Sequence, residues 1–197
     1  ASLFTELYVQ TDGKDGYVSL EINPSFSHET EKITAEARKT WTAVNRPNLM
    51  VKIPATESGI SAVRQLVSAG INVNSTLIFS EEQYIKAAEA YISGLEDRIA
   101  SGQPINKIQS VASVYVCWID SKIDPLLEKI ITEGSEEQAA IARELKGKVG
   151  IANCQRIYRQ FKKIFSGERF NALQKKGATI QRPLWAATGC KNDQYSD

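Results

Sequence analysis

Two rhythms of apolar residues take turns along this chain. Segments with period two read as strands: "GYVSLEI" (Gly16–Ile22), "NLMVKIP" (Asn48–Pro54), "INVNSTLIF" (Ile71–Phe79), "IQSVASVYVCW" (Ile108–Trp118) and "GATIQRPLWAA" (Gly177–Ala187). Between them, His28–Val44, Ser58–Ser68, Glu81–Ile99, Asp124–Thr132, Glu136–Phe165 and a short Glu168–Lys176 are patterned as amphipathic helices. Ser80-Glu-Glu-Gln83 and Ser135-Glu-Glu-Gln138 mark two helix starts as capping boxes, in which each end satisfies an orphan backbone N–H of the other. Gly70 and Gly177 follow helical patterns where a left-handed residue would close them. Strand, helix, strand without hairpin signals means βαβ units and a parallel sheet. No linker or low-complexity segment interrupts residues 1–197, which read as one domain.

The pleat sorts the strand residues onto two faces. One face carries Val18, Leu20 and Ile22, then Leu49, Val51 and Ile53, then Ile71, Val73, Ser75 and Leu77, then Ala112, Val114 and Val116. The other carries Ser19 and Glu21, Met50 and Lys52, Asn72, Asn74, Thr76 and Ile78, and Ser113, Tyr115 and Cys117. A doubly wound sheet, covered by helices on both sides, would be apolar on both faces. One apolar face, and one that turns polar toward the strands' C-terminal ends, suits a (β/α) barrel of the TIM type with its site at the C-terminal rim.

Composition narrows the function. The formal net charge is +1, from 24 basic and 23 acidic residues of scattered sign, which excludes the basic stripe of a nucleic-acid binder. The longest mostly apolar stretch, Val111 to Ile119 with Ser113 within it, is far shorter than the ~20 residues of a spanning helix, so no membrane role is expected. No basic-then-apolar leader opens the chain. Three widely spaced cysteines argue for a reduced, cytoplasmic setting, and a single histidine leaves little from which to build a His-based metal site or a Ser-His triad.

Lys52 then stands out as a cation between Val51 and Ile53 in an otherwise apolar strand. Burial disfavours a charged ammonium, and a neutral amine can attack a carbonyl to form an imine, an electron sink for carbon–carbon cleavage. Glu21 and Thr76 could position a proton-shuttling water, giving aldolase chemistry without a cofactor. Each residue alone also has a plainer reading. A strand lysine is usually solvated, Glu21 could face water, Asn74 and Thr76 could close a core hydrogen-bond network, and Tyr115 and Trp185 could be core aromatics. The coincidence of Glu21, Lys52, Asn74, Thr76 and Ser113 on one face favours a site.

At "VKIPATESGISAVRQLVSAGINVNSTLIFS" (Val51–Ser80) the chain resembles the transaldolases, whose active-site signature is a lysine strand followed by Pro-Ala-Thr and Gly-Ile. Asn74 and Thr76 follow Lys52 by 22 and 24 positions, the family's spacing. "DGYVSLEINP", "ASVYV", "GERFNALQKKGA" and "QRPLWAATGCKN" resemble the longer bacterial and plant type. The resemblance implies an (β/α)8 barrel that carries a dihydroxyacetone unit from a ketose phosphate to an aldose phosphate in the pentose phosphate pathway. It implies Lys52 as the Schiff-base lysine, Glu21 and Thr76 as the pair holding the catalytic water, and Asn74 and Ser113 as ligands of substrate hydroxyls and the imine. Tyr115 falls where the family has a ring lining the site, and Lys191 where a basic residue meets the substrate phosphate.

The chain departs from that pattern in two ways. Its five strand–helix units match strands three to seven of the family barrel. The first strand, with its acid/base aspartate, the second and the eighth have no counterpart, so the barrel is expected to be incomplete. Second, the family's Ser-Arg-Val-Asp reads Cys117-Trp118-Ile119-Asp120, with a tryptophan in place of the phosphate-binding arginine. The expected partners are sugar phosphates, with self-association or a complementary chain completing the barrel. The alternatives are a non-catalytic or split-barrel partner of a transaldolase, and a related Schiff-base aldolase with altered phosphate binding.

Overall fold

The structure, a computed structural model, describes residues 1–189. A short α1 (Thr5–Gln10) leads into β1 (Val18–Glu21), and α2 (Thr30–Val44) follows. Then come β2 (Leu49–Pro54), α3 (Glu57–Ser68), β3 (Val73–Ile78), α4 (Glu81–Ala100) and β4 (Ser110–Tyr115). After β4 the chain forms α5 (Cys117–Glu133), α6 (Glu136–Leu145), α7 (Val149–Phe165) and α8 (Glu168–Gln174), and returns as β5 (Gln181–Ala186). All four strand pairings are parallel and the sheet order is β1-β2-β3-β4-β5. A doubly wound sheet reverses its strand order once; this one never does. With right-handed crossovers, an unreversed order places every helix on the same side. Accordingly α2 packs on α3, α3 on α4, and α4 on α7.

The helix-facing side of the sheet is the core. Val51, Ile53, Val73, Ile78, Ala112 and Val114 are fully buried there, with Ala62, Val63 and Leu66 of α3 and Ala87, Tyr91 and Leu95 of α4. Each fully buried Val, Leu or Ile contributes about 1.5–3 kcal/mol relative to exposure. Close approach has its own requirement at Gly59, where a Cβ would lie 1.8 Å from the Pro54 carbonyl oxygen. Only glycine lets the first turn of α3 sit so tightly on the end of β2.

Curvature is visible in two side chains on the opposite face. Neighbouring strands are about 4.8 Å apart, so β1 and β3 would be about 9.6 Å apart in a flat sheet, with side chains standing parallel. Asn74 on β3 nonetheless donates to Ser19 Oγ on β1 at 2.9 Å. Arg182, on the same face of β5, donates to the Lys14 carbonyl in the turn before β1 at 2.9 Å. Across a flat sheet that gap would be about 19 Å, more than an arginine side chain can cross. The sheet is therefore curled, with the polar face on its concave side.

The five expected strands form, with their ends trimmed. Gly70 and Gly177 are left-handed, at φ +88° and +95°, and close α3 and α8. Ser135 and Gln138 form the full capping box. Ser80 makes only half of one: it accepts from the Gln83 N–H, but the Gln83 side chain accepts from the Phe79 N–H instead. The expected Glu136–Phe165 helix divides around Gly147, which has φ +67°. Cys117 and Trp118 belong to α5 and not to the fourth strand, so Cys117 leaves the face assigned to it above.

Strand β3 is not regular along its whole length. Ser75 pairs with Ala112 but Ile78 pairs with Val114, so β3 has one extra residue, and Leu77 takes φ +57°. This bulge reverses the pleat. Ile78 moves to the apolar core, and Phe79 takes the concave phase that simple alternation denies it. A left-handed conformation costs a non-glycine residue about 1–2 kcal/mol. Leu77→Ile, branched at Cβ, should therefore lose about 1–2 kcal/mol, while Leu77→Gly should be as stable as the parent or more so. Urea midpoints test this, and equal midpoints for the two variants would contradict it.

Candidate active site

Parallel register places the candidate residues side by side. Glu21 on β1 pairs with Lys52 on β2, and Lys52 with Asn74 on β3. Their side chains share the concave face. Lys52 Nζ lies 3.6 Å from Glu21 Oε2. That is beyond direct hydrogen-bond distance but within ion-pair range. Lys52 keeps 23% of its side chain exposed and Glu21 47%, so the lysine is half-buried and not fully desolvated. At this exposure the pair stabilises the fold by less than about 1 kcal/mol.

Asn74 is buried and clamped from both sides. Ser113 Oγ donates to Asn74 Oδ1 at 2.7 Å, and Asn74 Nδ2 donates to Ser19 Oγ at 2.9 Å. The carboxamide is thereby fixed in one orientation, with one hydrogen of Nδ2 remaining for a further acceptor. Ser19 was only a polar position on the pleat in the sequence. Its period-two relation to Glu21 is the signal that could have selected it.

Thr76 completes the cluster from the end of β3. It is fully buried, and its hydroxyl has no hydrogen-bond partner among the described residues. Burying such a group costs about 1–3 kcal/mol, and a native orphan calls for a reason. Ser75 shares that state on the opposite face, so it is Thr76's place beside the lysine strand that matters.

The lysine strand is held firmly at its end. The Ala55 N–H donates to the Thr76 carbonyl at 2.8 Å. Thr56 caps α3 by accepting from the Gly59 N–H at 3.0 Å, and its hydroxyl donates to the Ser27 carbonyl at 2.5 Å. Pro-Ala-Thr-x-x-Gly is thus the junction that ties β2 to β3, to α3 and to the turn after β1.

Beyond the polar cluster, Tyr115 ends β4 on the concave face. Its ring lies 5.2 Å from Phe79 and 5.7 Å from Trp118, centroid to centroid. Lys191 lies outside the described residues. Among the described residues no three His, Cys, Asp or Glu side chains are grouped to hold a metal ion, and no helix is long and apolar enough to cross a membrane.

The family described as Transaldolase/Fructose-6-phosphate aldolase matches residues 2–197. A transaldolase of Trichodesmium erythraeum is 47% identical over 99% of this chain and 52% of its own length. One of Mycolicibacterium smegmatis is 45% identical over 99% of this chain and 51% of its own. Transaldolase 2 of Nostoc punctiforme is 45% identical over 97% and 51%. The chain spans about half the length of the curated relatives it matches.

The Thr76 orphan gives a test independent of turnover. Thr76→Val keeps the shape and removes the unpaired hydroxyl, so it should raise stability by about 1 kcal/mol. Urea denaturation measures this. A loss of 1 kcal/mol or more would show that the hydroxyl already has a structural partner.

Proposed function

The chain belongs to the transaldolase/fructose-6-phosphate aldolase family, and on that premise we propose that it carries the imine-forming half of a cytoplasmic transaldolase. The observation that carries the reading is the Lys52–Glu21 approach at 3.6 Å, beside a clamped Asn74 and an unpaired Thr76. The reaction proposed is transfer of a dihydroxyacetone unit from fructose 6-phosphate or sedoheptulose 7-phosphate to an aldose phosphate, as in the pentose phosphate pathway.

In this reading Lys52 first gives up its proton and attacks the ketose C2, forming a C–N bond. A water between Glu21 and Thr76 relays protons, and the former carbonyl oxygen leaves as water, giving an iminium ion. The iminium draws in the electron pair of the C3–C4 bond as the C4 hydroxyl loses its proton to a base. The bond breaks, the aldehyde departs, and an enamine remains on Lys52. The enamine adds to the acceptor aldehyde, whose oxygen takes up a proton. Hydrolysis of the new iminium then releases the product ketose and the amine. Asn74 and Ser113 bind the hydroxyls of the three-carbon unit throughout, and Tyr115 lines the space beyond.

The base at the C4 hydroxyl is, in this proposal, a carboxylate outside the five strands. Among the described residues β1 and β5 each pair with a single strand, and Leu20, Leu184 and Trp185 are exposed along these edges. We place further strands there, from the same protein or a complementary chain, to complete eight. In this proposal residues 1–197 make up a single, partial barrel domain.

Borohydride reduction with fructose 6-phosphate, followed by peptide mapping, should mark Lys52, and Lys52→Met should remain unmarked. Lys52→Arg should be inactive, because a guanidinium stays protonated. Glu21→Gln should lower the turnover number by about 10²–10⁴-fold while leaving Lys52 in place. Label on another lysine would end the assignment.

A further inference from the structure

The bulge in β3 has a consequence at the mouth of the site. By returning Phe79 to the concave phase, it sets that ring against Tyr115, two residues beyond Ser113 on the same face. Trp118, in the first turn of α5, closes the group, with its ring 6.4 Å from Phe79 and edge-on to Tyr115. Three rings from two strand ends and a helix start therefore extend the polar cluster outward. Trp118 is 52% exposed. Part of its ring is therefore free to pack against an apolar group.

The space in front of it fits that purpose. A cavity of about 650 Å³ is lined by Phe79, Trp118, Ile119, Ser121, Lys122 and Ile123, within the usual range for small-molecule sites. Among the described residues Lys122 supplies its only charge, and the Ser121 hydroxyl already donates to the Cys117 carbonyl at 3.0 Å. A dianionic group pressed against this wall would lose hydration and find one cation. An uncharged carbon chain would cover the rings without that penalty. Resting on the imine reading above, the geometry points to an aromatic subsite of Phe79, Tyr115 and Trp118 that takes the uncharged alkyl or aryl tail of an aldehyde acceptor.

Two measurements on the natural protein test this. 3-Phenylpropan-1-ol has the tail but no carbonyl, so its binding by calorimetry does not depend on Lys52. Trp118→Ala should weaken it about tenfold, the effect of losing one aromatic contact in a pocket, and Trp118→Phe by less than about threefold. With dihydroxyacetone as donor, Trp118→Ala should lower kcat/KM about tenfold more for 3-phenylpropanal than for glyceraldehyde, which has no such tail. Absence of binding, or equal binding to parent and Trp118→Ala, would overturn the subsite whatever Lys52 does. Trp118-dependent binding without borohydride label on Lys52 would overturn the imine reading and leave the subsite standing.

Discussion

The buried carboxamide of Asn74 links three strands of this sheet. It accepts from Ser113 on β4 and donates to Ser19 on β1, so one side chain ties together strands that share no backbone ladder. The bond to Ser19, which passes over β2, forms only if the sheet is curled, and both bonds are buried enough to be costly to lose. Curling brings Glu21, Lys52, Thr76 and Tyr115 toward a common centre. It also spreads the outer face, where α2, α3, α4 and α7 lie side by side. Arg182 acts in the same sense by bracing β5 against the turn before β1.

The two faces of each strand answer to different demands. Val51, Ile53, Val73 and Val114 alternate with Lys52, Asn74 and Ser113, so the residues that stabilise the fold are one step from those of the candidate site. A rigid outer core fixes the backbone, and the backbone register fixes the spacing of the polar side chains. The Thr76 hydroxyl is among the buried polar groups that have no partner among the described residues. This buried, unpaired hydroxyl is a local cost that the packed core around Val73 and Ile78 can carry, and such costs gather at sites of chemistry.

Much of this was legible in the sequence. Alternation in "NLMVKIP" and "INVNSTLIF" placed Lys52, Asn74 and Thr76 on one face, because a strand's period of two is set by backbone geometry alone. Gly70 and Gly177 announced left-handed helix ends for an equally local reason. What escaped was non-local. The bulge at Leu77 has no glycine to signal it, so Ile78 was placed with the polar face and Phe79 was not placed there. The strand–helix junction at Cys117 was hidden because "VCW" continues an apolar run. Ser19 could be seen as polar, but its role depends on Asn74 reaching across β2, which only curvature allows.

In the function proposed above, Lys52, Glu21, Asn74, Thr76 and Ser113 converge on one covalent intermediate. A crystal structure of the borohydride-reduced adduct of the natural protein would test it directly. It should show a three-carbon unit bonded to Lys52 Nζ, its hydroxyls within hydrogen-bond distance of Asn74 and Ser113, and an ordered water between Glu21 and Thr76. An adduct on another lysine, or a Lys52 adduct whose hydroxyls face away from Asn74 and Ser113, would contradict it.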